Sequence, residues 1–181
     1  MKKFLAVALL GLAGVANAGS FLVETSQVDG MTRANSTGYL IQVSESISKN
    51  VDASAQILTT QVDGTNSVSS RYELGLTPKY KLGSLTLYTK FATGQKLSST
   101  GNKDYYGIEP GVIVPFAQNW NIRYGFRFRD GLGGDTGERT NTHRLGVGYD
   151  FTKTDSINVR YDRQRGDSEQ NSWNLAYIRR F

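Results

Sequence analysis

The stretch Trp120–Asp130, WNIRYGFRFRD, decides the fold. Its even positions read Trp120, Ile122, Tyr124, Phe126 and Phe128, and its odd positions read Asn121, Arg123, Gly125, Arg127 and Arg129. Alternation at every second residue is the period of a β-strand, whose side chains point to opposite faces in turn. In a sandwich the apolar face is buried and the arginines meet water. In an outer-membrane barrel the apolar face meets lipid and the arginines line the lumen. The rest of the chain must choose.

The first eighteen residues, MKKFLAVALLGLAGVANA, speak to the compartment. Lys2 and Lys3 form a positive start, Phe4 to Val15 is an uncharged and mostly apolar run, and Ala16-Asn17-Ala18 is a small-x-small cleavage site. This is a secretory signal peptide, residues 1–18, too short for a bilayer-spanning helix. The expected mature chain, 19–181, is a single domain exported to the periplasm and destined for the outer membrane. There is no cysteine, so neither disulfides nor thiolate metal sites are available, and no cofactor is expected. The formal net charge is +5, and loss of Lys2 and Lys3 makes it milder still. With export, that balance argues against a nucleic-acid partner.

Alternating runs separated by polar breakers continue along the chain. Strands are expected near Ser20–Val28, Gly38–Ser48, Val51–Val62, Arg71–Leu82 and Leu85–Gln95. Five more are expected near Tyr105–Phe116, Trp120–Asp130, Thr142–Phe151, Ser156–Arg165 and Trp173–Phe181. Each has about the 9–11 residues that a tilted strand needs to cross a bilayer. Short links (SKN, KLG, AQN, TKTD) follow the even strands, and longer polar links follow the odd ones. Outer-membrane barrels sort their connections in this way, with short periplasmic turns and longer external loops. The expected fold is all-β: an antiparallel up-and-down transmembrane β-barrel of about ten strands. TSQVDG at Thr25–Gly30 recurs as TTQVDG at Thr59–Gly64, either a duplicated hairpin or two similar turns. In this register both threonines face outward.

The outward phase collects Tyr39, Ile41, Leu74, Leu76, Leu87, Phe91, Ile108, Val112, Leu145, Val147, Ile157 and Val159. Aromatics gather at the strand ends. Tyr80, Phe116, Trp120, Phe151 and Phe181 stand at the short-turn side, and Tyr39, Tyr72, Tyr106, Phe128 and Trp173 at the loop side. Two aromatic girdles flanking an aliphatic middle suit two membrane interfaces. Arg163 and Arg165 fall on the outward phase at the loop end, within reach of lipid headgroups and lipopolysaccharide. Glu45 is outward too, unless a bulge there turns it inward.

The inward phase is polar and basic. A guanidinium pointed at lipid near the midplane would cost ~2–4 kcal/mol, so these groups need a wet or salt-bridged interior. Ten basic groups are expected there: Arg71, Lys79, Lys81, Lys90, Arg123, Arg127, Arg129, Arg144, Arg160 and Arg180. They face six acids, Glu24, Asp52, Glu73, Glu109, Asp150 and Asp162, so about four cations are expected to lack a partner. Unmatched positive charge along a lumen favours anions. Ten strands spaced ~4.8 Å and tilted ~40° make a cylinder roughly 20 Å across. Side chains then either plug it or leave a narrow, crooked passage. The expected solutes are small anions.

The segments NIRYGFRFRDG, HRLGVGYDF, NVRYDRQRGD and WNLAYIRRF, over roughly the last sixty residues, resemble the oligogalacturonate-specific porin family. That resemblance implies a monomeric outer-membrane barrel passing acidic oligosaccharides along an arginine-lined pore. It makes Arg123, Arg127, Arg129, Arg144 and Arg160 candidate track residues. This chain departs from the family in being shorter, with ten expected strands rather than twelve. The terminal Phe181 after an alternating strand also resembles the C-terminal signal read by the outer-membrane barrel assembly machinery. Arg179 stands where that signal usually carries an apolar residue.

Two other functions were weighed. A closed, salt-bridged structural barrel, resembling the N-terminal domain of outer-membrane protein A, would work through its external loops in adhesion. It needs the same polar interior as a channel. A barrel enzyme would need a histidine with serine or carboxylate partners, and the one histidine, His143 in TNTHRLG, is joined to none by a motif. The glycines of GLGGDTGERT lack the spacing of a phosphate or calcium loop, so this segment reads as an external loop.

Overall fold

The computed structural model describes residues 19–31, 34–99, 101–134 and 137–181. The signal peptide expected at residues 1–18 lies outside the described residues. Ten strands follow one another: β1 (Ser20–Gly30), β2 (Ser36–Ser48), β3 (Val51–Val62), β4 (Val68–Leu82), β5 (Leu85–Ser98), β6 (Gly101–Ala117), β7 (Trp120–Gly131), β8 (Thr140–Asp150), β9 (Asp155–Gly166) and β10 (Gln170–Arg180). Each pairs antiparallel with its chain neighbours, and β1 pairs with β10 to close the barrel. The closing seam sets Val23 opposite Tyr177 and Thr25 opposite Leu175. Closure leaves no strand edge unpaired, as a medium without water demands.

The apolar pattern is turned inside out. Leu74 is 63% exposed and Leu145 54%, whereas Glu73 is 3% exposed and Glu109 8%. Only Val28, Tyr105 and Ala176 form a buried apolar set among the described residues. Burial of apolar surface against water cannot be what holds this molecule together. The continuous hydrogen-bond ladder and the polar interior take that role. Outside, aromatics pair across neighbouring strands at both ends. Trp120 lies 4.6 Å from Tyr149 and 6.4 Å from Phe116, centroid to centroid, at the turn side. Tyr161 lies 5.0 Å from Trp173, and Tyr106 6.1 Å from Phe128, at the loop side.

The expected strands all form, with shifted ends. β4 begins at Val68, β6 runs from Gly101 to Ala117, β8 stops at Asp150, and Phe181 lies just beyond β10. One link read as a long loop, residues 96–104, is largely strand: Lys96 pairs with Lys103, and Ser98 with Gly101. Their side chains are polar on both faces, which breaks the amphipathic signal while leaving backbone pairing intact. The longest remaining link is 132–139, between β7 and β8. At the other end the turns are tight, and Gly83 (φ 60°) and Asn119 (φ 67°) adopt the left-handed conformation that such reversals require. The bulge falls between Ser46 and Ser48 rather than at Glu45. Glu45 therefore keeps its outward phase opposite Ala53 and stays exposed, close enough to the turn to remain hydrated.

Candidate functional site

Of the thirteen residues assigned to the lumen from the alternation, ten line the cavity enclosed by the strands, and Glu73, Asp150 and Arg180 do not. The structure links them into tiers. In the middle, Glu73 on β4 accepts from the Tyr105 hydroxyl (3.1 Å) and pairs with Lys90 (2.8 Å) and with Arg127. Glu109 on β6 pairs with Arg144 on β8 (2.8 Å), which also reaches Asp162 on β9 (3.7 Å). Arg160 then joins Asp162 (2.8 Å) to Glu24 on β1 (3.0 Å). To reach Glu24 it passes over β10, where the inward residues Asn174 and Ala176 are small. A chain of alternating charges thus runs from Glu109 on β6 around to Glu24 on β1, beside the separate cluster about Glu73. At the turn side Arg180 pairs with Asp150 (3.0 Å) and Lys79 with Asp52.

Space for these long side chains is made by inward glycines. Tyr88 on β5 lies across Gly111 and Gly125, where an added Cβ would collide with its ring. Its hydroxyl donates to Glu109 at 3.5 Å. Neither tyrosine in the lumen, Tyr88 or Tyr105, was anticipated, although both are in phase and could have been read from the alternation.

Two further groups change the charge pattern inferred from the sequence. Lys96 sits in phase with Lys90, one residue beyond the expected end of its strand. Glu138, in the link taken for an external loop, is turned inward and only 1% exposed. Its carboxylate meets Lys96 (3.0 Å), Arg129 (3.4 Å) and Arg71 (3.8 Å). Burial alone would raise the Glu138 carboxyl, but the charges of Arg71, Arg129 and Lys96 outweigh it and hold it below the ordinary carboxylate value. No periodicity could have flagged Glu138, because a loop side chain has no phase.

The expected four unmatched cations are therefore too many. Among the described residues, only Lys81 and Arg123 of that set of ten lack a carboxylate within 4.0 Å. Lys81 is exposed beside the turn after β4, and Arg123 hydrogen-bonds Asn121 (3.0 Å). One carboxylate serves up to three cations, which is why pair counting overestimated the remainder. The basic groups still outnumber the acids, so the wall carries net positive charge.

The opposite wall is of another kind. From β1, β2, β3 and β10 the lumen receives Leu22, Ser26, Leu40, Leu58, Thr60 and Ile178. Between the walls lies a cavity of about 550 Å³. Its lining reaches from Ser44 and Lys79 near the short turns to Gly137 and Gln170 near the loops.

On the outside, His143 meets aromatic side chains rather than a serine or a carboxylate. Its Nδ1 lies 2.9 Å from the Tyr124 hydroxyl, and its ring packs edge-on to Phe126 at 5.1 Å. Arg163 and Arg165 keep the outward phase, and Arg165 donates to the Gln164 carbonyl (2.6 Å).

No protein-family model and no curated relative matches the sequence. Solved structures do share the fold. The chain is similar to the KdgM porin (TM-score 0.57, 14% identity, covering 90% of this chain and 99% of that one). It is similar also to the NanC porin (0.60, 10% identity, 89% and 99%). A third likeness is to an outer membrane channel from Pseudomonas putida F1 (0.59, 11% identity, 91% and 96%). At these identities the likeness is one of architecture: this chain has the closed antiparallel barrel fold of outer-membrane porins.

Proposed function

We propose that the protein is an outer-membrane barrel acting as a narrow, porin-like channel for small anionic solutes or acidic oligosaccharides. The observation that carries this reading is the cavity between the turn side and the loop side, whose charged wall holds more cations than carboxylates. Anions gain attraction along such a wall, and cations are repelled by it. Its small size excludes the bulk flow of wide porins, which need about 16 strands. The band of exposed apolar side chains between two aromatic girdles supports residence in a bilayer. Arg163 and Arg165 are placed to meet phosphates of lipid or lipopolysaccharide, and the β10–Phe181 end is proposed as the segment that the barrel assembly machinery engages. A single chain closes its own lumen, which is consistent with a channel that needs no partner copy to complete its wall.

Planar-bilayer recording of the refolded mature chain under a salt gradient tests the channel. The expected result is small single-channel steps with a reversal potential on the anion side. Cation preference would overturn the reading. Silent bilayers would favour the second one, a closed structural barrel acting through its loops, for which the extensive ion pairing of the wall speaks.

A further inference from the structure

The lumen carboxylates Glu24, Asp52, Glu73, Glu109, Asp150 and Asp162 all project from strands, held in place by backbone ladders on both sides. Glu138 does not. It comes from the 132–139 link, so it can leave its partners without breaking any strand pairing. What it would leave behind is well ordered. Arg71 and Lys96 are direct partners across β4 and β5, and Arg129 projects from β7. Arg129 is 3% exposed and its guanidinium lies 5.3 Å from the centre of the Tyr105 ring, which holds it in place.

The fit between Glu138 and this trio is incomplete. Oε1 takes one good hydrogen bond, from Lys96 at 3.0 Å. Oε2 stands 3.4 Å from Arg129 and 3.8 Å from Arg71 and has no hydrogen-bond donor, although it is buried. The Arg129 Nε is likewise buried without an acceptor. Two guanidinium groups therefore keep donors that Glu138 does not satisfy, while an unmet buried polar group costs more than a formed one returns. A carboxylate free of the chain could take up the two-pronged geometry that arginine offers.

We propose that Arg71, Lys96 and Arg129 form a carboxylate-binding site at the loop-side mouth, which the chain fills with its own Glu138 until the carboxylate of an acidic solute replaces it. The site rests on the channel reading for its use: it is where an acidic solute first exchanges bulk water for arginine. Glu138 serves as a tethered counterion, offsetting one of the three positive charges at the mouth between solutes and setting a threshold below which weakly acidic or neutral solutes gain nothing by entering.

The test measures equilibrium binding of radiolabelled glucuronate, with glucose as the neutral control, to the refolded mature chain in detergent. Glu138→Gln keeps the shape of the side chain and removes the competing charge, and should bind glucuronate about tenfold more tightly than the unaltered chain. Glu138→Asp, which retains the charge on a shorter arm, should fall between them and serves if the glutamine variant fails to fold. Adding Arg129→Gln to Glu138→Gln should abolish the gain. Equal binding by the unaltered chain and both single variants, or a gain that survives loss of Arg129, overturns the proposal. Bilayer recording separates the two readings. A binding gain with silent bilayers sinks the channel and leaves the site, while anion conduction with no binding difference sinks the site and leaves the channel.

Discussion

Arg123 and Arg127 look alike in the sequence, two odd positions of one strand, yet their surroundings differ. Arg127 is held by the buried Glu73, which also holds Lys90. Arg123 hydrogen-bonds Asn121 and, among the described residues, has no carboxylate within ion-pair distance. Removing one member of a buried ion pair costs about 3 kcal/mol, the low end of the usual range here because Glu73 keeps Lys90, whereas a lone hydrogen bond is worth about 1 kcal/mol. Arg127→Ser should accordingly lower barrel stability in urea by about 3 kcal/mol, and Arg123→Ser by no more than about 1 kcal/mol. For anion preference the order should reverse. Arg123 presents its charge to the lumen without a carboxylate partner, so its loss should move the reversal potential more than loss of Arg127. A larger selectivity change in Arg127→Ser would show that paired guanidinium groups, rather than free ones, set the preference. The alternation places both arginines inside, but it carries no information about which of them meets an acid from β4, because that depends on how the sheet curls.

At the scale of the strand, the two faces answer to different media. β8 carries Leu145, 54% exposed near its middle, and Asn141, exposed near its loop end. An arginine at the first position should cost about 2–4 kcal/mol and at the second about 0–1 kcal/mol, read from equilibrium folding into lipid vesicles. Equal penalties would mean that no bilayer midplane crosses β8. Strand existence and phase were legible throughout, because one face alternates apolar against a polar partner face over the whole crossing. Strand ends at the loop side were not. Beyond the apolar band, Lys96, Ser98, Gly101 and Lys103 pair as regularly as any residues within it. Once both faces are polar, composition no longer distinguishes a hydrogen-bonded hairpin from an irregular loop.

At the scale of the whole molecule, closure is what turns ten amphipathic strands into a lumen. The seam between β1 and β10 joins segments that are far apart in the chain, and it can be tested directly because there is no native cysteine. Thr25→Cys with Leu175→Cys sets two thiols directly opposite on the outer face. Oxidation of the folded chain should give an intramolecular disulfide, since facing residues in an antiparallel pair lie within the ~4.4–6.8 Å that such a bond spans between Cα atoms. Thr25→Cys with Val159→Cys, one strand further on, should not cross-link; the opposite result would mean that the seam is drawn between the wrong strands.

The amino-acid sequence by itself determined the strand number, the two faces and the basic character of the interior, because a period of two is written locally and each residue carries its own phase. Only the tertiary structure decided which charges meet. Glu138 reaches Arg71, Lys96 and Arg129 from a link without phase, Arg160 reaches Glu24 across an intervening strand, and a single carboxylate serves several cations. Those contacts depend on the barrel's curvature and on glycine-made space across the lumen, quantities that arise only when the sheet has closed on itself.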